Sequence, residues 1–191
     1  MGQKLIRINW LANQERLYSP TVQVQGQKRR KKGIRSMVKT GTKAPDFELS
    51  ADDGKPVKLS KLKGRKVVLY FYPKDDTSGC TREAKDFTDL AAEFEAAGAD
   101  VFGISPDSVA SHAKFRSKHA LAVRLLADEA KTAAAAYGVW VEKSMYGRKY
   151  MGVDRATFLV DAKGKVAQSW RKVSVPGHAE EVLAAVKALK A

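Results

Sequence analysis

The one cysteine of this 191-residue chain comes shortly after its most apolar segment. That segment, residues 67–72 (VVLYFY), ends at Pro73 and is typical of a buried strand. From Ala84 onward apolar residues recur at three- and four-residue steps, which predicts a helix. Cys80 is therefore expected on a strand-to-helix turn, where unpaired N–H groups and the helix dipole favour an anion. The anion of a cysteine is the thiolate, which is its reactive form.

The residues around Cys80 favour a reactive thiol over an inert cysteine that acts as a small hydrophobe. Gly79, Thr81 and Arg82 flank it. A neighbourhood of this kind predicts a polar turn rather than a core position.

Three kinds of thiol chemistry can be compared against these residues. Disulfide exchange of the thioredoxin type uses Cys-x-x-Cys, but the positions three residues before and after Cys80 are Thr77 and Glu83. Acyl transfer needs a histidine base. All three histidines lie on predicted helices far along the chain, where solvated or core roles are expected: His112, His119 and His178. Peroxide reduction needs a thiolate, hydrogen-bond donors and a cation, and Thr77 together with backbone N–H groups can supply donors.

The elements that must position this turn alternate along the chain. Strands are predicted at 47–49, 57–59, 67–72, 100–105, 123–126, 156–160 and 165–173. Helices are predicted from near Cys80 to the residue before Gly98, and at 108–119, 128–137 and 179–189. This order predicts an α/β domain with a mixed central sheet and helices on both faces.

Composition narrows the class of protein. An apolar fraction of 44% can fill a sizeable core, and no run of about 18 apolar residues exists that could span a membrane. One cysteine excludes an internal disulfide framework and a cysteine-based zinc site. No metal or cofactor is expected, and a free thiol fits a reducing compartment, most simply the cytoplasm.

Basic residues concentrate at the start of the chain. Residues 1–36 contain nine Lys or Arg and one Glu, which accounts for +8 of the total net charge of +14 and leaves +6 for residues 37–191. Residues 1–36 lack sustained periodicity and are expected to be a disordered extension, followed by the domain at 37–191. The extension could lie upstream of a true start at Met37, form a basic arm for nucleic acid, or be an organelle presequence. The upstream start is the preferred interpretation.

The stretch around Cys80 resembles the peroxiredoxins, specifically the group called bacterioferritin comigratory protein or peroxiredoxin Q. Pro73, Thr77 and Cys80 fill the pattern Pro-x-x-x-Thr/Ser-x-x-Cys of that family. Further similarities follow in the expected order over about residues 40–190: APDF at 44–47, GVW at 138–140, MYG at 145–147, YMG at 150–152 and RATFLVD at 155–161.

The resemblance implies a thioredoxin-like fold and thiol-dependent reduction of hydrogen peroxide and organic hydroperoxides. Cys80 would be the peroxidatic cysteine that becomes a sulfenic acid. Thr77 would hydrogen-bond to the thiolate and the peroxide, Arg155 would stabilise the thiolate and polarise the O–O bond, and Pro73 would shield the sulfenate from water. Without the family pattern, Arg155 would be interpreted as a surface charge before a strand.

Two positions depart from the pattern of the group. Ser78 stands where the group often has proline. Lys85 stands where many members have a resolving cysteine, and the chain has no other cysteine to take that role. The resemblance therefore implies a one-cysteine member whose sulfenic acid reacts with an external thiol: glutathione, a thioredoxin or a glutaredoxin. The group is usually monomeric, so a monomer is expected.

Two other classes of function remain as alternatives. The first is a redox-silent thioredoxin-like binding module whose basic arm contacts nucleic acid, and the second is a disulfide reductase or chaperone-like thiol protein. The presence of Pro73, Thr77, Cys80 and Arg155 argues against the first, and the absence of Cys-x-x-Cys argues against the second. A peroxidase without nucleic-acid or membrane partners is the preferred interpretation.

Overall fold

The computed structural model of the chain describes residues 38–190. The predicted extension at 1–36 and the predicted boundary at Met37 lie outside this range. The strands are β1 Glu48–Ala51, β2 Pro56–Lys58, β3 Lys66–Phe71, β4 Ala99–Ser105, β5 Arg124–Ala127, β6 Trp140–Met145, β7 Arg148–Val153, β8 Ala156–Val160 and β9 Val166–Arg171. The helices are α1 Ser78–Asp89, α2 Ala91–Ala96, α3 Val109–His119, α4 Thr132–Ala136 and α5 His178–Ala188, with a short 3-10 helix at Leu59–Lys61.

Seven of these strands form one sheet in the order β2-β1-β5-β4-β3-β8-β9. The central strand pairs β3–β4 and β4–β5 are parallel, whereas β1–β2, β1–β5, β3–β8 and β8–β9 are antiparallel. The sheet is therefore mixed, as the sequence predicts. Strands β6 and β7 form a separate antiparallel hairpin.

The two faces of the sheet carry separate hydrophobic clusters. Successive side chains of β3 point alternately into one cluster and the other. Val67, Leu69 and Phe71 point into one cluster, and Val68 and Tyr70 point into the other. The second cluster is covered by α1, α2, α3 and α5, and α4 packs into the first. Helices on both faces confirm the predicted α/β architecture.

Three segments differ between the prediction and the structure. The helix predicted from Cys80 to Gly98 is interrupted at Leu90, where φ is −98° and ψ is 5°. The helix predicted to start at Asp128 starts four residues later, because the Asp128 carboxylate accepts hydrogen bonds from the backbone N–H groups of Ala133 and Ala134. Residues 140–153, for which no strand was predicted, form the β6–β7 hairpin.

Candidate active site

Cys80 is the third residue of α1, so the predicted strand-to-helix turn is confirmed. The first backbone hydrogen bond of the helix runs from Thr81 N to Thr77 O, which leaves the N–H groups of the preceding positions available to an anion at this end. The expectation of a polar position is wrong, because Cys80 is only 2% exposed and belongs to the cluster beneath α1. Ala84 and Phe87 lie on the same helix face and draw Cys80 into that cluster.

Arg155 reaches Cys80 because of the pairing between β3 and β8. The register places Phe71 opposite Ala156, so the residue before β8 lies beside the end of β3, where the turn toward α1 begins. The Arg155 guanidinium donates a hydrogen bond from Nη2 to the Cys80 Sγ at 3.2 Å. A thiolate at Sγ would therefore have a guanidinium cation in direct contact.

Glu83 is a buried member of this site that the sequence analysis missed. Its Oε2 accepts a hydrogen bond from Arg155 Nη1, and the residue is 1% exposed. Its other oxygen, Oε1, is buried and has no hydrogen-bond partner among the described residues. Because Glu83 lies three residues after Cys80, the helical repeat places both side chains on one face. The three-residue spacing from Cys80, on a helix face otherwise made of Ala84 and Phe87, was the signal in the sequence that could have predicted the burial of Glu83.

The charges of Arg155 and Glu83 are set by opposing effects. Burial raises the pKa of Glu83 from 4.5 to about 7, although the adjacent Arg155 favours the ionised carboxylate. Burial disfavours the charged guanidinium, but Glu83 and Cys80 outweigh this and raise the pKa of Arg155. Arg155 is thus a permanent cation shared between a carboxyl group and a sulfur atom.

Tyr70 lies beneath the same site and was also not predicted as part of it. Its Oη is buried with no hydrogen-bond partner among the described residues. Burial, followed by the nearby charges of Glu83 and Asp75, raises the pKa of Tyr70 well above its usual value. The ring is stacked on Phe87 with centroids 4.7 Å apart. Tyr70 is therefore an uncharged, buried residue that packs beneath the helix carrying Cys80.

Thr77 and Pro73 lie on the same turn but are exposed, and neither has a described hydrogen bond to the sulfur. The Thr77 hydroxyl donates to Lys74 O at 3.1 Å, which leaves its oxygen lone pairs free to accept. Pro73 directly follows Tyr72 at the end of the β3 segment. The structure thus brings Cys80 and Arg155 into contact and places Thr77 and Pro73 at the solvent side of the turn.

The three histidines occupy the solvated or core positions that were expected. His112 and His178 are buried, and His119 pairs with the carboxylate of Asp76. His178 contacts Thr157 at 2.8 Å, and burial lowers its pKa. Within residues 38–190, no described hydrogen bond joins a histidine to the Cys80 sulfur.

Neither a membrane span nor a metal site emerges from this part of the chain. No helix between residues 38 and 190 has the length and apolar character needed to cross a bilayer. In the same range, no group of three or more His, Cys, Asp or Glu side chains is arranged to hold a metal ion.

A buried thiol that accepts a hydrogen bond from an arginine, on a thioredoxin-like fold, defines the class of thiol peroxidases. The model of the AhpC/TSA family matches residues 40–169, and the chain belongs to that family. Within it, the relatives place the chain in the Bcp, or peroxiredoxin Q, group, here with one cysteine.

The relatives cover most of the chain and nearly all of their own length. Peroxiredoxin Bcp of Bacillus subtilis is 48% identical over 150 residues, which are 78% of this chain and 96% of the relative. Peroxiredoxin Bcp of Escherichia coli is 40% identical over 146 residues, which are 76% and 94%. The solved bacterioferritin comigratory protein of Xanthomonas campestris, described for its alkyl peroxide reduction activity, is 44% identical with a TM-score of 0.75, covering 78% of this chain and 98% of that one. The chain is accordingly a thiol-dependent peroxidase.

Proposed function

We propose that this peroxidase reduces hydrogen peroxide and organic hydroperoxides through a sulfenic acid at Cys80. The observation that carries the proposal is the hydrogen bond of 3.2 Å from Arg155 Nη2 to Sγ of the chain's one cysteine. A guanidinium in this position stabilises the thiolate and can direct a further N–H toward a peroxide oxygen. The named activity of the Xanthomonas campestris relative, alkyl peroxide reduction, supports organic hydroperoxides as substrates.

One catalytic cycle consumes one peroxide and two thiols. The Cys80 thiolate attacks one peroxide oxygen, the O–O bond breaks, and the other oxygen leaves as water or an alcohol after taking up a proton. An external thiol then attacks the sulfenic sulfur, releases water and forms a mixed disulfide. A second thiol reduces this disulfide and restores Cys80.

The remaining residues have distinct proposed roles. The Thr77 hydroxyl would hydrogen-bond to the incoming peroxide, and Pro73 would limit access of water to the sulfenate. Glu83 holds the second terminal nitrogen of Arg155 and so orients the fork toward the sulfur. A glutathione, thioredoxin or glutaredoxin thiol is the proposed reductant, because the chain has no second cysteine.

The domain proposed to do this chemistry spans residues 37–191, with 1–36 as an extension. We propose that it acts as a monomer and that its free thiol is kept reduced in the cytoplasm.

The direct test of this proposal is the loss of peroxide consumption in Cys80→Ser. The exposed Met145 is the control, because methionine is the other oxidisable sulfur and is not rapidly recycled by small thiols. Peroxide consumption with glutathione or thioredoxin should be abolished in Cys80→Ser and unchanged in Met145→Leu. Turnover in folded Cys80→Ser at more than a few per cent of the wild-type rate would remove Cys80 from its role.

Intact-mass spectrometry tests the reductant. With peroxide alone, Cys80 should progress to sulfinic acid at low protein concentration, because no intramolecular disulfide can form. With excess glutathione, a glutathione adduct at Cys80 should appear instead. Continued sulfinic acid formation without an adduct would exclude glutathione and indicate a protein reductant.

A further inference from the structure

The turn that leads into Cys80 carries two adjacent aspartates, and both are paired with histidines of α3. Asp75 is only 6% exposed, and its carboxylate accepts hydrogen bonds from His112 Nδ1 at 2.9 Å, Tyr72 Oη at 2.7 Å and Ser111 Oγ at 2.7 Å. The carboxylate is therefore nearly enclosed by donors from the end of β3 and from α3.

The second aspartate reaches the far end of the same helix. Asp76 accepts hydrogen bonds from His119 Nε2 at 2.7 Å and Lys118 Nζ at 2.6 Å. Its backbone is in the left-handed region, with φ of 59°. His112 and His119 are seven residues apart, so two helical turns present them on one face of α3. That face holds both aspartates.

A backbone contact adds a third attachment. The N–H of Asp75 donates to Asp107 Oδ2 at 2.9 Å, and the same oxygen accepts from Ser105 Oγ at 2.6 Å. Residues 73–80, here called the Cys80 turn, are thus tied to the end of β4 as well as to α3.

One part of this arrangement is unfavourable for stability. His112 is completely buried, and its Nε2 has no hydrogen-bond partner among the described residues. A well-packed apolar pair in the same space is often as stable as a buried ion pair, or more so. Burial opposes ionisation of Asp75, but hydrogen bonds from His112, Tyr72 and Ser111 hold its pKa below its usual value. The buried Asp75 carboxylate needs its donors at fixed positions, and so it holds the turn in one position. An apolar contact would define that position less sharply.

We propose that Asp75 and His112 are positioning residues: they clamp the Cys80 turn to α3, hold Sγ against Arg155 and keep it from large reagents. The β3–β8 register fixes the backbone beside Arg155 and Glu83 holds its guanidinium, and neither belongs to the Cys80 turn, so the contact with Sγ depends on where the turn lies. Cys80 is 2% exposed with the clamp closed, so a bulky thiol or alkylating agent needs the turn to move away from α3. The inference rests on the proposed function only in its peroxide readout, because access to Cys80 can be measured without peroxide.

The test uses three variants of the full-length chain. His112→Leu removes the donor to Asp75 while keeping an apolar filling. His112→Asn can place an amide N–H where Nδ1 was and should restore the clamp. Asp52→Asn is the matched control, because Asp52 is a buried aspartate that accepts a hydrogen bond from Arg116, also on α3, but does not touch the turn.

Two rates are measured for each variant: single-turnover oxidation of Cys80 by peroxide, and iodoacetamide alkylation of Cys80 at high pH, where the rate has reached its plateau. In His112→Leu we expect single-turnover oxidation to slow about tenfold, since a hydrogen bond to a charged group contributes at least that factor. The plateau alkylation rate at high pH should rise roughly threefold or more, because the turn opens more often. His112→Asn and Asp52→Asn should stay within about twofold of wild type in both rates, even if their melting temperatures fall.

General destabilisation would also slow oxidation and speed alkylation, so the signature of the clamp is that His112→Leu shows both changes while Asp52→Asn, at a comparable loss of melting temperature, shows neither. If His112→Leu does not fold, Ser111→Ala removes a single donor to Asp75 and should give the same signs with smaller amplitude. The proposal is overturned if folded His112→Leu or Ser111→Ala keeps both rates within twofold of wild type, or if Asp52→Asn reproduces the changes. If Cys80→Ser still consumes peroxide, the proposed function fails, and alkylation alone then decides whether the clamp exists.

Discussion

Glu83 makes the stability of the fold depend on pH in a way that one substitution can isolate. Replacement Glu83→Gln keeps the size of the side chain and an oxygen that can accept from Arg155 Nη1, but it removes the titration. Since Glu83 is 1% exposed, its ionisation in the folded state takes place without solvent screening. Its pKa is raised from 4.5 to about 7, mainly by burial.

The sign and size of the effect follow from proton linkage. A folded state with the higher pKa holds the proton more tightly than the unfolded chain, so the associated stability is present below about pH 4.5 and is lost as the pH rises through about 7. The interval from 4.5 to about 7 corresponds to roughly 3 kcal/mol in the free energy of unfolding. Glu83→Gln should lack this pH-dependent contribution. As the pH rises from 4.5 to above 7, the free energy of unfolding of the wild type should therefore fall by that amount relative to the variant.

Urea denaturation at pH 4.5, 6, 7 and 8 measures this difference. The control is Glu95→Gln, because Glu95 forms an ion pair with Arg65 but its side chain is 70% exposed. That variant should follow the pH dependence of wild type, since exposed ion pairs contribute little. If Glu83→Gln and wild type show parallel stability curves over this pH range, Glu83 does not titrate there and the reasoning about its burial is refuted.

Three further predictions concern the rest of the proposed site and the domain boundary. Arg155→Lys keeps the charge but loses the planar fork, so peroxide consumption should fall by about tenfold or more, and Arg155→Ala should slow the alkylation of Cys80 at neutral pH because the thiolate loses its adjacent cation; an unchanged alkylation rate would contradict the contact. Thr77→Val should slow single-turnover oxidation of Cys80 by roughly tenfold, whereas Thr77→Ser keeps the hydroxyl and should stay within about threefold; equal rates would remove the hydroxyl from the mechanism. A chain that starts at Met37 should match the full chain in melting temperature and peroxidase rate, and a large loss of either would show that residues 1–36 support the domain.

Local sequence signals were sufficient for the turn at Cys80 and for most elements. The apolar run of β3, the glycine after α2 and the periodic face of α1 each depend on neighbours within about one or two helical turns. Arg155 was different, because it lies 75 residues from Cys80 and the two meet only through the antiparallel β3–β8 register. Its own neighbours in the sequence gave no sign of this contact, so its assignment depended on the family resemblance.

Buried polar residues were the main failure of the sequence analysis. Glu83 and Asp75 are charged residues, and such residues are rarely buried unless they are paired. Their residue type alone therefore predicts that they lie at the surface. Their burial follows from partners on other elements, Arg155 before β8 and His112 on α3. A pattern along one segment does not contain that information.

The lack of a second cysteine changes what the turn at Cys80 must do. Lys85 stands at the position where the family resemblance implies a resolving cysteine in many members, and it is exposed. Five residues along a helix correspond to about 140° around its axis. A sulfur at Lys85 would point away from Sγ, so an internal disulfide there would require α1 to unwind. On the proposed mechanism this chain does not need α1 to unwind. The access of an external thiol to Cys80 then limits reduction of the sulfenic acid. The hydrogen bonds of Asp75 then act in both half-reactions: a closed turn favours attack on peroxide beside Arg155, and an open turn favours reduction of the sulfenic acid. The balance between reduction and over-oxidation should therefore depend on the strength of the clamp as well as on the concentration of thiol.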